Sequence, residues 1–297
     1  MDELEIPSSV KKILGAYHTV AEAIRSCYAD YMLGEVNFSD FSKFLVKRIM
    51  GSNLLFSATR LYAKKYLDSE LDSIDDLFRV YAPQILASVI CAFYVSRKTL
   101  KVVSNEHRAK YGRLITITSE ISLTLGKNLK EIGLFSATMH SCLESFVYGV
   151  FYLESPENFV ERFLIGGGDT YPRRKDEEFS LFRISSGVIV STVVQLIGFG
   201  RKLSEDCYNA FSGESGTGKI CDAISTLRYL VGVFLKEEPT KFLRGSSFEL
   251  EEKAIDAVLL ALKNLKESPS NPWFLPEFDG AEFQFQAIEG FDDSSLP

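Results

Sequence analysis

Three histidines and one tryptophan are all that these 297 residues hold of those two types. The histidines, His18, His107 and His140, stand far apart, and none has a second histidine or a carboxylate at metal-ligand spacing. No metal is expected. The five cysteines, Cys27, Cys91, Cys142, Cys207 and Cys221, are odd in number and widely spaced, with no C-x-x-C pair, which argues against a zinc knuckle or a disulfide framework. Free thiols on apolar helix faces, in a reducing cytoplasm, are the expectation. Positive charge is also in short supply. Lys and Arg total 33 against 40 Asp and Glu, a net charge of −7, so the basic footprint of a general nucleic-acid binder is missing. The longest apolar stretch, residues 187–199, is interrupted by Ser191, Thr192 and Gln195 and is too short to span a bilayer. The start, Met1-Asp2-Glu3-Leu4-Glu5-Ile6-Pro7, lacks the basic region of a secretory signal. These absences point to a cytoplasmic protein that binds neither nucleic acid nor membrane and carries no cofactor.

What is present is an ordinary folding composition, 46% hydrophobic and 25% charged, on a length suited to one large domain or two small ones. The apolar spacing is helical almost throughout. Val10, Ile13, Leu14, Tyr17, Val20, Ala21, Ile24, Tyr28 and Tyr31 recur every three or four residues and predict one helix over 8–33. A second helix starts near Ser39, with Phe41, Phe44, Leu45 and Ile49 as its buried face. Further helices are expected over 53–67, 73–80 and 83–100, the last opening on Pro83, whose missing N–H costs nothing in a first turn. Residues 112–127 fit both a strand alternation and a helical stripe; their length favours helix. Residues 129–153, 181–199, 220–236 and 247–267 complete the set. A break is expected at Gly166-Gly167-Gly168, and the mixed-sign run Arg173-Arg174-Lys175-Asp176-Glu177-Glu178 reads as a solvated loop. His18 is expected at a helix edge, His107 exposed in a polar connection, and His140 inside an apolar helix.

The end of the chain differs in character. Residues 269–297 contain six acids, Glu277, Asp279, Glu282, Glu289, Asp292 and Asp293, and no Lys or Arg, so they carry six of the seven net negative charges. They also hold Trp273, Phe274, Phe278, Phe283, Phe285 and Phe291, more aromatics than a purely solvating tail needs. Residues 272–286 are expected to pack on the body, the alternative being a peptide that docks on a partner. The expected organisation is an N-terminal helical subdomain over 1–103, a second helical subdomain over 104–268, and the acidic aromatic tail over 269–297.

One local motif points to chemistry. Gly213-Glu214-Ser215-Gly216-Thr217-Gly218-Lys219-Ile220 matches the G-x-x-x-x-G-K of a Walker A loop, in which backbone N–H groups wrap phosphates and the lysine reaches the terminal ones. In that reading Gly213, Gly216, Gly218 and Lys219 bind phosphate. Ile220, however, stands where a Ser or Thr should hold Mg²⁺, the residues before the loop do not read as a buried strand, and no Walker B strand follows. A Gly-, Ser- and Thr-rich turn between helices accounts for the same letters. The conformation of 207–222 separates the two: strand, loop and helix for nucleotide binding, or a loop between two helices.

The order of segments over residues 7–245 resembles the HDOD family, the HD-related output domains of bacterial signalling proteins. Phe38-Ser39-Asp40-Phe41-Ser42-Lys43-Phe44-Leu45 is similar to the family's early "x-x-D-L-A-x-L-I" helix. Leu54-Leu55-Phe56-Ser57-Ala58-Thr59-Arg60-Leu61-Tyr62-Ala63 resembles the helix leading to "A-N-S", and Leu71-Asp72-Ser73-Ile74-Asp75-Asp76-Leu77 the "I-x-S-I-x-x-A-I" segment. Thr138-Met139-His140-Ser141 falls where the family often reads "L-L-H-D", and residues 188–199 with Leu203-Ser204 resemble the "G-x-x-L-L-x-x-W-x-L-P" helix and its exit. Lys64 replaces the Asn of "A-N-S", Gly51-Ser52 stands where "D-P" is common, and Ala82-Pro83 replaces "L-G". HD phosphohydrolases hold metal with histidines, an adjacent His-Asp pair and a further Asp; here His140 is the one vestigial match, and Ser141 occupies the place of the Asp.

The resemblance implies an all-α fold, a helical bundle packed against an HD-like helical half. It also implies a non-catalytic regulatory module of bacterial signal transduction that works through protein–protein contact with signalling proteins. A nucleotide-binding protein using residues 213–219 is the alternative, and a metal phosphohydrolase a more distant one.

Overall fold

The structure is a computed structural model, and it describes residues 6–165, 175–214, 216, 218–235 and 252–267. Within them the chain is all-α, with fourteen helices and no strand among the described residues. In chain order they are α1 (Ser8–Leu14), α2 (His18–Met32), α3 (Asp40–Met50), α4 (Asn53–Tyr66), α5 (Ile74–Val80), α6 (Pro83–Val102), α7 (Asn105–Asn128) and α8 (Gly133–Glu154). After these come α9 (Pro156–Phe159) with a π-helical turn (Val160–Ile165), α10 (Lys175–Phe182), α11 (Ser186–Leu196), α12 (Gly200–Ser212), α13 (Lys219–Leu235) and α14 (Glu252–Glu267).

Helix α8 is the axis of the molecule. It packs against α6 on one side and α7 on another, and α13, α11 and α1 close the rest of its surface. From Ser136 to Tyr152 each of its residues is buried. Its composition explains this: over 133–154 the only full charges are Glu144 and Glu154, so it has no solvent-seeking face. Helix α2 lies on α6 with α3 outside it, α14 covers α7, and α12 joins α11 to α13. A single hydrophobic cluster runs from Val10 to Val258.

Local chemistry starts and stops the helices as expected in several places. Ser39 caps α3 by accepting the Ser42 N–H at 3.2 Å. Ser73 and Asp76 form a capping box at the start of α5, with Asp76 accepting the Ser73 N–H at 2.8 Å. Pro83 occupies the first turn of α6. The ambiguous residues 112–127 lie inside α7, where the helical stripe prevails over the alternation.

Four expectations of the helix map need correction. The helix read over 181–199 is the end of α10 and all of α11, with a break at residues 183–185 where Arg183 takes a φ of 58°. The helix read over 8–33 is two helices, broken at Gly15, whose φ of 54° suits glycine and turns the chain between α1 and α2. The carbonyls freed there are taken up from α6, where the Tyr94 hydroxyl donates to Leu14 O at 2.6 Å and Ala16 O at 2.8 Å. Phe41 and Phe44 are not in the buried face of α3, which is made instead by Leu45, Val46, Ile49 and Met50. Two rings are thus left in water, each of which would gain roughly 1.5–3 kcal/mol on burial. The mixed-charge run is not a loop throughout, because Lys175, Asp176, Glu177 and Glu178 form the first turn of α10. Glu178 there is buried and accepts the Ser186 N–H at 2.6 Å, supplying the start of α11 with an acceptor. Residues 166–174, where the glycine break was expected, and the acidic aromatic tail lie outside the described residues.

Candidate functional site

The polar heart of the molecule lies where α7 and α8 face each other. Small hydroxyl side chains on both helices allow close approach and supply hydrogen bonds in an otherwise apolar interior. Ser122 gives its proton to Thr118 O at 2.8 Å, so its oxygen is left to accept from His140 Nδ1 at 2.8 Å. Ser141 donates to Ser119 Oγ at 2.6 Å. One turn earlier Thr138 Oγ1 meets the Tyr62 hydroxyl of α4 at 2.8 Å, and burial pushes that phenol well above its ordinary range. His140 is fully buried, with its ring 6.3 Å from that of Phe211.

The donor set about His140 does not suit a divalent metal. Ser119, Ser122 and Ser141 offer neutral hydroxyl oxygens, and the position beside His140 that would carry a carboxylate is Ser141. Among the described residues no group of three or more His, Cys, Asp or Glu is placed to hold a metal ion.

Two buried charges, which sequence reasoning did not single out, extend this heart. Glu144, one turn beyond His140, is fully buried, and Arg228 of α13 brings its Nε to 3.9 Å from Glu144 Oε2. The same guanidinium donates from Nη1 to Phe211 O at 2.7 Å and Ala210 O at 3.0 Å, and lies 4.3 Å over the Phe211 ring. It therefore caps the last carbonyls of α12 while facing a carboxylate on α8. Each stood out in the sequence as a charge flanked on both sides by apolar residues of its helix. A second buried acid, Glu120 of α7, joins α7 to α4 by accepting from Lys65 Nζ at 2.6 Å and from the Tyr66 hydroxyl at 3.0 Å. Burial first, and Glu120 next, raise the Tyr66 phenol well above its usual value.

All five thiols are free and buried. Cys91 and Cys142 face each other at 3.4 Å between α6 and α8. Burial raises Cys27, Cys91 and Cys207 far from the range in which a thiolate forms near neutral pH, so they are packing groups rather than nucleophiles.

The described residues of the glycine-rich segment, Gly213, Glu214, Gly216 and Gly218, lie between α12 and α13. Gly213 ends α12 in the left-handed conformation, with φ of 70°, and Lys219 opens α13 with its side chain exposed. The remaining glycines are sites of close approach. A β-carbon at Gly216 would collide with Cys221 Sγ, and one at Gly218 would lie 2.7 Å from Asp206 Oδ1. The nearly buried Asp206, paired with Lys202 at 3.0 Å, thus puts a carboxylate against the loop that a Walker reading would fill with phosphate.

The other histidines have plain roles. His18 is exposed and stacks on Tyr17 at 4.6 Å. His107 is half-buried rather than exposed, with Nδ1 3.1 Å from the Tyr152 hydroxyl and 3.3 Å from Ser104 Oγ.

Two surface features remain. A mostly apolar cleft of about 700 Å³ is lined by Pro7, Glu154, Lys175, Phe179, Arg183 and Val188, with Phe179 largely exposed. At the α2–α3 corner, Tyr31, Met32, Leu33, Val36, Phe41 and Phe44 are all exposed. Among the described residues no single helix is long and apolar enough to cross a membrane. No family model, no curated protein and no solved structure matches the chain.

Proposed function

We propose that this chain is a non-catalytic regulatory module that acts by binding other proteins, a bacterial signal-transduction domain of the kind the HDOD resemblance implies, working in the cytoplasm. The observation that carries the reading is the state of His140 and Ser141. Where an HD hydrolase would hold metal, both side chains are spent on Ser122 and Ser119 inside a closed helix interface. His140 is fully buried and Ser141 nearly so, which supports a packing role for both. Apolar side chains left on the surface at the α2–α3 corner and in the α10–α11 cleft supply the kind of area that a protein partner covers.

The test is hydrolysis and metal content together. The purified full chain, incubated with Mn²⁺, Mg²⁺ or Fe²⁺, is expected to turn over neither phosphomonoesters nor cyclic dinucleotides and to retain no stoichiometric metal. Metal at about one per chain with hydrolysis, both lost in His140→Gln while helical content is kept, would overturn the reading.

A further inference from the structure

One wall of the α10–α11 cleft is a single face of α10. Asp176, Phe179, Ser180 and Arg183 follow one another at three- and four-residue spacing, and all of them line the cleft. The stripe runs from an acid, over an exposed ring and a hydroxyl, to a base. The rise of a helix sets its two charged ends about 10 Å apart. Val188 of α11 and Pro7 before α1 add apolar walls, and the space they enclose, about 700 Å³, is of a size common in sites for small molecules.

The backbone at Arg183 is strained. Helix α10 ends at Phe182, and Arg183 N donates to Phe179 O at 2.9 Å with a φ of 58°. Glycine is the usual residue at such a helix exit, because a β-carbon is unfavourable in the left-handed region. Nothing in the helix stop calls for an arginine. Its side chain is exposed in the cleft and forms no ion pair with a described residue. A strained residue whose side chain does nothing for the fold points to a contact made by a ligand.

Among the described residues four charged side chains line the cleft, Glu154, Lys175, Asp176 and Arg183. Lys175 is engaged by the fold, its Nζ donating to the Tyr208 hydroxyl at 3.0 Å and to Glu214 Oε1 at 3.5 Å. That leaves Arg183 for an anion, and Asp176, with Glu154 at the end of α8, for a cation. None of these three is paired with another described residue. A ligand with charge of one sign would satisfy one end of the stripe and be opposed at the other. A ligand with an apolar body and opposite charges at its two ends suits both. An extended chain of three residues spans about 10 Å, which is the separation of Asp176 and Arg183 along α10.

We propose that the α10–α11 cleft binds a short apolar peptide of about three residues with free termini. Its carboxylate lies on Arg183, its ammonium on Asp176, and its side chains over Phe179 and Val188. The guanidinium then makes the paired, charge-assisted hydrogen bonds that suit a carboxylate. The proposal does not depend on the non-catalytic reading, which is tested by hydrolysis and metal content rather than by peptide binding.

Equilibrium dialysis or titration calorimetry of trileucine with the full chain tests it. Saturable binding is expected below ~1 mM. Trileucine acetylated at one end and amidated at the other is expected to bind about 10-fold or more weakly, as is free trileucine to Arg183→Gly or Asp176→Asn, each change removing a charge-assisted hydrogen bond. Arg183→Gly suits the backbone it enters, so its melting temperature without peptide should equal or exceed that of the unaltered chain. Should it not fold, Arg183→Asn, which also tolerates the left-handed conformation, takes its place. Absence of saturable binding to the unaltered chain, or undiminished affinity for the blocked peptide or in a folded Arg183 or Asp176 variant, would overturn the proposal.

Discussion

Asp206 and Gly218 occupy one narrow gap between α12 and α13: a β-carbon built on Gly218 would lie 2.7 Å from Asp206 Oδ1 and 2.9 Å from its Cγ. A carboxylate thus closely approaches the last glycine of the Walker-like string. The carboxylate is held in place by Lys202 at 3.0 Å, so it cannot swing away without giving up that pair.

Gly218→Ala should therefore destabilise the fold by about 1–3 kcal/mol, as overpacking does in a closed region. In an Asp206→Ala background the same substitution should cost clearly less, because the clashing group is gone. Urea midpoints of the four proteins check this. Equal costs in both backgrounds would show that the contact is not the reason for the glycine.

Lys219→Ala should leave the melting temperature the same with and without ATP and Mg²⁺. Its side chain projects to solvent at the start of α13. A ligand bound to the native state at ~100 times its dissociation constant would add about 2.7 kcal/mol. A melting shift of that order in the unaltered chain, abolished by Lys219→Ala, would restore the nucleotide reading.

Arg228→Met should be among the most damaging single changes. It removes the guanidinium 3.9 Å from the fully buried Glu144 and the donor to Ala210 O and Phe211 O. Breaking a buried pair from one side costs about 3–5 kcal/mol. Arg228→Met combined with Glu144→Leu should recover part of that loss, since the buried carboxylate that faced the guanidinium is then absent. Denaturant unfolding of the single and double variants measures the difference.

Stability should fall in alkaline solution. Burial raises the thiols of Cys27, Cys91, Cys207 and Cys221 above their ordinary value of 9.0. It likewise raises the phenols of Tyr62, Tyr66, Tyr81 and Tyr111 above 10.0, and Tyr28 to about 12. At high pH the unfolded chain releases these protons while the folded chain keeps them, so the folded state binds more protons and loses stability as pH rises. The contribution is fully present below the unfolded values and is lost progressively above pH 9.0–10.0. Thermal midpoints followed from neutral to strongly alkaline pH should decline over that window, less steeply in Tyr66→Phe. A flat profile would contradict the buried placement of these groups.

Much of the helix order is legible in the sequence, because it rests on properties local to the chain. Ser39, the Ser73–Asp76 box and Pro83 mark helix starts by side-chain chemistry that acts within one turn. The apolar run of α8, with His140 inside it, announces a buried helix. Gly15 shows the limit of this reading. The apolar spacing passes through it unbroken, yet the chain turns there because Tyr94, from a distant helix, satisfies the carbonyls that a break exposes. Phe41 and Phe44 show another. Their helical spacing says they share a side, and nothing in the spacing says that α2 covers the opposite one.

For the candidate site the division is sharper. Helical spacing, together with the resemblance, pointed to an all-α chain, and the described residues are all-α. Which groups His140 and Glu144 would meet was settled by the packing of α7 and α13 on α8, and which group Gly218 would meet by that of α12 on α13. The physical reason is range. Helix periodicity and capping are set by neighbours three or four residues away. A lone acid in an apolar helix declares that it needs a partner, but the partner, Arg228, lies 84 residues further on and is brought to it by the burial of surfaces that carry no address in their local sequence.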